Sequence, residues 1–396
     1  METSADDQSY FVSQQVILGV EMISPATIAR KFYRVVLLVF AFALSIPTLA
    51  TDPSTQTGWS KLMLLGKRQN GILPDHSNLL RAVTVAEKYG ENDPRLHIAL
   101  YNAALAYSYN HRALSESLFK RDIANLEHLS VDFPDIVSDC FELANIYIWE
   151  GELTKAEPLL LRAASIRKKW KDMQSNDPFN AEIYSSFYMV YYLQGKSDKA
   201  AEAQAEMHKN LDVWRTHKTR AECLMKLTSN FHTCVNSSKS LSTAQQNHFL
   251  RMSLELAKEA AAYYKEMGDR YEYDYIGVLL EMTAIDMGLS HLTEAEQLSR
   301  QALKLAEDKF DSLSSLAFDA VDYLVLILTP MHRCDEAERL QDEYLNRVKQ
   351  AHGAESVDYA RELNHCAISW EGANRIDLAE KRRKEARTIV DRLNKH

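Results

Sequence analysis

The side chains in this 396-residue sequence that could do chemistry do not stand at the spacings chemistry needs. The 13 histidines are scattered. No H-E-x-x-H puts two imidazoles on one helix face for zinc, no G-x-S-x-G elbow presents a nucleophile, and no EF-hand loop gathers carboxylates. His332 and Cys334 fall in one turn and are metal-binding types, but two ligands do not make a zinc site. No two glycines stand as G-x-G. The pair Gly66 and Gly71 continues with Ile72 and Leu73 where a P-loop needs Lys and Ser or Thr. Carboxylates are abundant, yet on helices rich in Lys and Arg they read as surface ion pairs. The expectation is a non-enzyme with no catalytic residue, metal or cofactor.

Five cysteines, Cys140, Cys223, Cys234, Cys334 and Cys366, form no C-x-x-C pair, and an odd count is not a disulfide framework. On one helix Cys223 and Cys234 would stand roughly 16 Å apart, too far to bridge. Apolar packing is their expected role. Asn236 opens a glycosylation sequon, meaningful only in a eukaryotic secretory pathway.

The elements that would hold a site are helices. Only 12 residues are Gly and 9 are Pro, well below the average combined share of about 12%. With 46% hydrophobic and 26% charged residues the composition is globular. So few breakers disfavour sandwiches, barrels and propellers.

Residues 1–50 stand apart. Arg30, Lys31 and Arg34 precede the apolar run 35–46, Pro47 breaks it, and Thr48 and Ala50 supply the small residues of a cleavage site. This is the layout of a signal peptide, and the run is shorter than the roughly 20 residues a spanning helix needs. Cleavage is expected after Ala50, with Met22 as an alternative start, and export to the periplasm or the exterior. An uncleaved signal anchor is the alternative; the membrane is otherwise met only through the translocation machinery. Cleavage would leave 43 basic against 51 acidic residues, which does not favour nucleic acid. The basic run 381–384 reads as the solvated face of a last helix.

An internal repeat organises the rest. Cys140, Leu143, Ala144, Tyr147, Gly151, Ala156 and Ala163 form one copy. Tyr191, Gly195 and Ala200 follow 44 residues on, and Ala104 and Tyr107 precede by 40. Ala295, Ala337 and Ala379, each followed by Glu, recur at 42. Small residues let two helices of a hairpin approach, the large ones fill the gap to the next hairpin, and Gly151 allows a tight turn. Pro94, Pro134 and Pro178 sit just before new helices, and Pro158 falls in an opening turn. Tyr188 takes a small position, the stretch from Gly288 to Ala295 is two residues longer than the usual turn, and Pro330 to His332 replaces a turn glycine.

This spacing resembles the tetratricopeptide repeat. Gly353 and the stretch 357–370 resemble the 42-residue class of kinesin light chains, frequent in bacterial arrays. The resemblance implies an all-α, right-handed superhelical solenoid of about eight antiparallel helix pairs: 57–90, 93–130, 133–172, 177–210, a degenerate 214–267, 270–309, 312–351 and 354–394. The domains would be an N-terminal array at 57–213, the degenerate pair at 214–267, and a C-terminal array at 270–396 whose last helix carries Arg383 as a polar cap.

The resemblance also implies a concave face lined by first helices. Carried over, it would present Tyr101, Asn102 and Tyr109, then Phe141, Glu142, Asn145, Ile148 and Trp149, then Tyr192, and finally Arg361, Asn364, His365 and Glu371. Family members that clamp a terminal carboxylate use Lys and Arg there. The N-terminal positions hold none, so that mode is not expected. Aromatics with amides suit an internal extended or helical peptide. The competing reading is that Tyr109, Trp149 and Tyr192 pack against neighbouring helices. The function expected is a non-catalytic scaffold binding a protein or peptide partner. The alternatives are a helical enzyme or carbohydrate-active protein with an unrecognised site, and a regulatory receptor of the repeat type.

Overall fold

The computed structural model describes residues 56–66, 76–129, 134–169, 179–213, 216–310 and 313–393. The signal-peptide reading of 1–50, the Met22 start and Pro178 lie outside them. Among the described residues there are sixteen α-helices and no strand. In chain order they pair as α1 (Gln56–Gly66) with α2 (Ser77–Glu87), α3 (Pro94–Tyr107) with α4 (Arg112–Leu129), α5 (Ile136–Glu150) with α6 (Leu153–Lys169), and α7 (Phe179–Leu193) with α8 (Ser197–Asp212). Then come α9 (His217–Ser237) with α10 (Thr243–Met267), α11 (Glu272–Gly288) with α12 (Leu292–Lys309), α13 (Ser315–Leu328) with α14 (Cys334–His352), and α15 (Val357–Gly372) with α16 (Ile376–Leu393). The fold is an all-α array of eight helix pairs. No described helix is long and apolar enough to cross a membrane.

The helices gather into two compact units. The N-terminal unit holds the described residues up to Val213 together with Thr233–Ser242. The C-terminal unit holds those from Thr216 to His232 and from Thr243 onward, so the chain passes from one unit to the other within α9. The fifth pair, without signature residues, is therefore shared between the units and has the two longest helices, of 21 and 25 residues.

Small residues set the spacing within each pair. Ala144, Ala156 and Ala163 have no exposed surface in the N-terminal unit, nor do Ala295, Ala302, Ala337, Ala367 and Ala379 in the C-terminal one. Two buried serines on second helices are satisfied by the backbone of first helices, as buried hydroxyls normally are. Ser115 Oγ donates to the Ala104 carbonyl at 2.6 Å, and Ser299 Oγ to that of Ala320 at 2.8 Å. Four cysteines are buried, Cys334 is half-buried, and all five are free thiols. Burial pushes the thiols of Cys140 and Cys234 up to about 12.

One turn recurs inside five pairs. The N–H of Glu152 reaches the carbonyl of Tyr147, Lys196 that of Tyr191, His291 that of Asp286, Arg333 that of Leu328 and Arg375 that of Trp370, at 2.8–2.9 Å. The residue before each donor is left-handed: Gly151 (φ 80), Gly195 (φ 71), Ser290 (φ 63), His332 (φ 61) and Asn374 (φ 59). This is the six-to-one closure of a helix C-terminus. It corrects the reading of Gly288 as a turn residue. Gly288 is the last residue of α11, Ser290 makes the turn, and Ala295 follows it at the same distance as Ala156 follows Gly151. Pro158 also needs correction. It lies inside α6, beyond the opening turn, where its ring removes the N–H that would reach Thr154.

Candidate functional site

The expected groove residues separate into packed and accessible groups. Phe141, Asn145, Ile148 and Trp149 are buried, each at most 4% exposed. Phe141 sets its ring edge-on to Phe179 at 4.8 Å, and Asn145 Oδ1 accepts from the Ser186 hydroxyl at 2.8 Å. Residues one helical turn apart on α5 thus face α7. Trp149 stacks on Tyr109 at 5.5 Å, and its Nε1 is buried without an acceptor. Phe141, Asn145 and Trp149 therefore hold helices together and offer a partner no accessible side chain, contrary to the groove expectation. Phe141 and Asn145 meet the next helix pair, and Trp149 meets the preceding one.

Tyr101, Asn102, Glu142 and Tyr192 are half-buried, and Tyr109 is 36% exposed. The Asn102 amide donates to the Ile98 carbonyl of its own helix at 2.6 Å. Tyr192 stacks on Tyr188 at 5.9 Å. In the C-terminal unit Arg361 pairs with Asp358 at 2.8 Å and with Glu362, while His365 lies 3.5 Å from Glu362. Asn364 donates to the Ala360 carbonyl, and Glu371 takes both arms of the Arg383 guanidinium. Those four side chains are spoken for within their own unit.

The surroundings of Tyr101 in the N-terminal unit are acidic, partly at the surface and partly beneath it. Tyr101 on α3 has its hydroxyl amid the carboxylates of Glu142, Asp139, Glu182 and Asp122; burial, then these charges, raise its pKa far above that of a free phenol. Glu142 and Asp139 belong to α5, Asp122 to α4 and Glu182 to α7. Negative charge thus converges from three helices on a phenol carried by a fourth.

Beneath this face lies a cluster that sequence spacing did not disclose. His97 Nδ1 on α3 is 2.8 Å from Asp122 Oδ2 on α4, and His97 Nε2 is 3.6 Å from Asp135 Oδ2 just before α5. Asp139 on α5 completes a trio with His97 and Asp122 whose donor atoms all lie within 4.8 Å of one another. Among the described residues no other three His, Cys, Asp or Glu side chains converge in this way. Both aspartates have no exposed surface. Neither oxygen of Asp139, nor Asp122 Oδ1, meets a hydrogen-bond donor. Asp139 lies close enough to Asp122 to share a proton with it, but two ionised carboxylates have nothing to donate. Burial, then the charge of Asp122, pushes the Asp139 pKa well above the usual carboxylate range. For His97, burial lowers the pKa, and the hydrogen bond to Asp122 more than restores it. One sequence signal was available: Asp139 interrupts the otherwise apolar start of α5. Its partners stand 17 and 42 residues away on other helices, so no motif joins them. By contrast His332, in a turn, and Cys334, which accepts from Arg375, gain no third ligand.

Comparisons with known proteins bear on architecture. No known family profile matches the chain, and no curated protein matches it. Solved structures do. The apo form of RapI aligns over 76% of this chain and 99% of its own, at 10% identity and a TM-score of 0.32. Aspartyl phosphate phosphatase F from Bacillus subtilis covers 98% and 95%, at 11% identity and 0.39. The TPR domain of P58(IPK) covers 85% and 99%, at 14% identity and 0.19. At such scores the helical-repeat architecture of this chain rests on its own eight helix pairs and their shared turn.

Proposed function

We propose that the chain is a non-catalytic interaction scaffold of the tetratricopeptide type that binds a cationic, extended segment of a protein partner on the N-terminal unit. The observation that carries this reading is the Tyr101 hydroxyl set among carboxylates of three helices, of which Glu142 on α5 and Glu182 on α7 are half-buried. An acidic face with aromatic rims attracts Lys and Arg side chains by charge and by their contact with ring faces. The same face repels a terminal carboxylate, in keeping with the absence of Lys and Arg at its N-terminal positions.

The 42-residue interval between Ser290, His332 and Asn374 supports membership of the longer, kinesin-light-chain-like repeat class. The basic, apolar and small-residue order of residues 30–50 supports export, with the scaffold acting in the periplasm or outside the cell. N-terminal sequencing of the protein from its producing cell should start near Thr51; an intact Met1 or Met22 would remove the export reading.

Fluorescence anisotropy with labelled ten-residue peptides tests the groove. Peptides carrying two or three Lys or Arg should bind, and matched peptides with Asp or Glu should not. Glu142→Lys with Tyr101→Phe should weaken cationic binding about tenfold, with helicity by circular dichroism unchanged. Equal binding of acidic and basic peptides, or indifference to the double variant, would overturn the proposal.

A further inference from the structure

We propose that His97, Asp122 and Asp139 form a binding site for a divalent transition-metal ion of the zinc type, which braces α3, α4 and α5 of the N-terminal unit. The three donors come from three different helices and converge within 4.8 Å. At a tetrahedral centre with bond lengths of about 2.0–2.1 Å, neighbouring ligand atoms stand roughly 3.4 Å apart, so side-chain adjustments of about an ångström complete the geometry.

The second, independent observation is Asp139 itself. Its side chain has no exposed surface, and neither carboxylate oxygen receives a hydrogen bond. A buried carboxylate without a donor is costly, and such groups are normally paired or bound to a metal. Asp122 adds another unsatisfied oxygen in the same place. Two carboxylates would neutralise a dication, and one imidazole favours a transition ion over magnesium or calcium.

The surroundings supply what a metal-bound histidine usually has. With Nδ1 toward the ion, Nε2 faces the Asp135 carboxylate at 3.6 Å, the outer partner that fixes ring orientation and raises ligand basicity. His97 and Asp135 also line a small surface cavity with Asn125 and Asp93. Through His97 that cavity offers an ion a way in from the surface. The role assigned is a structural clamp between two consecutive pairs, separate from the peptide-binding reading of the face above it.

The test uses the full chain without a histidine tag, stripped of metal by chelator. Competition with a fluorescent zinc indicator should show one tightly held Zn²⁺ per chain. The thermal midpoint should rise by about 5 °C at a hundredfold excess over Kd. Mg²⁺ at the same concentration should do nothing. Asp139→Asn should keep or raise the metal-free midpoint, since the amide can donate to Asp122, and should lose both zinc uptake and the shift. Asp139 has no exposed surface, so its replacement cannot alter chelation by surface histidines. His97→Gln, at a partly exposed side chain, should lose the same responses and serves if Asp139→Asn does not fold. No stoichiometric uptake by the parent chain overturns the proposal, as does uptake that survives both substitutions or an equal response to Mg²⁺.

Discussion

In the N-terminal unit the turns of the third and fourth helix pairs are made by Gly151 and Gly195, while in the C-terminal unit Ser290, His332 and Asn374 adopt the same left-handed backbone. The hydrogen bond that closes the turn is the same throughout, so the geometry belongs to the repeat and the residue is free to vary. The units also differ in how they treat charge. The N-terminal one buries two aspartates whose outer oxygens have no donor. The C-terminal one leaves an oxygen of Asp322 likewise without a donor, but it also holds a closed network in which Arg300 and Arg333 each bridge Glu296 and Glu336 at 2.5–2.9 Å. A regular array can thus carry unpaid electrostatic cost in one stretch and a closed charge network in another. An unmet donor set is the kind of cost that a ligand relieves.

The largest test of the contrast uses the two buried tryptophans. Trp370 is fully buried and its Nε1 donates to Gln341 Oε1 at 2.6 Å, whereas Trp149 Nε1 has no acceptor. Trp370→Phe should cost about 2–3 kcal/mol, from lost packing and a lost hydrogen bond. Trp149→Phe removes comparable volume but no hydrogen bond, and should cost about 1 kcal/mol less. Denaturant unfolding of both variants measures the difference. Equal costs would mean that the indole N–H of Trp149 is satisfied in solution.

The turns give the next effect. An alanine at Gly151 meets positive φ and puts its Cβ 3.0 Å from Ser240 Oγ. Gly151→Ala should destabilise by about 2 kcal/mol. At Gly195 a Cβ would meet nothing within 4 Å, so only the backbone term of about 1 kcal/mol remains. In the C-terminal unit the reverse change is informative. His332→Gly should leave stability unchanged or raise it by up to about 1 kcal/mol, and Asn374→Gly should change it less, because Asn tolerates this conformation. A loss in either variant would show that the side chain contributes something besides permission to turn.

These positions also show what the sequence could disclose. The spacing of Ala144, Tyr147, Gly151 and Ala156 made the hairpins legible, and all eight pairs appear within a few residues of their expected bounds. The turn at Ser290 was not legible, because αL geometry leaves no sign on a serine and Gly288, two residues earlier, attracts the assignment. The groove was legible only in part. Helical periodicity places Phe141 and Trp149 on a face, but it does not say whether solvent or a neighbouring pair meets that face. The His97 cluster was hidden for a topological reason, since three helices bring it together and no local pattern survives.

The smallest effect separates the two treatments of charge by pH. Burial alone would raise the pKa values of Glu296 and Glu336, but their hydrogen bonds to Arg300 and Arg333 outweigh it, and both are lowered. A carboxylate with a lowered folded pKa adds stability above its unfolded value of about 4.3 and loses it as pH falls through the folded one. Glu296→Gln should therefore cost stability at pH 7, and the difference from the parent chain should shrink to nothing as acid titrates the network. Both arginines are more than a third exposed, so the cost at pH 7 should stay below about 1 kcal/mol and fall further in high salt. Chemical unfolding at pH 7, 5 and 3.5, with and without 1 M salt, measures this. A cost independent of both pH and salt would assign Glu296 a packing role, and the contrast between the units would then rest on the buried aspartates alone.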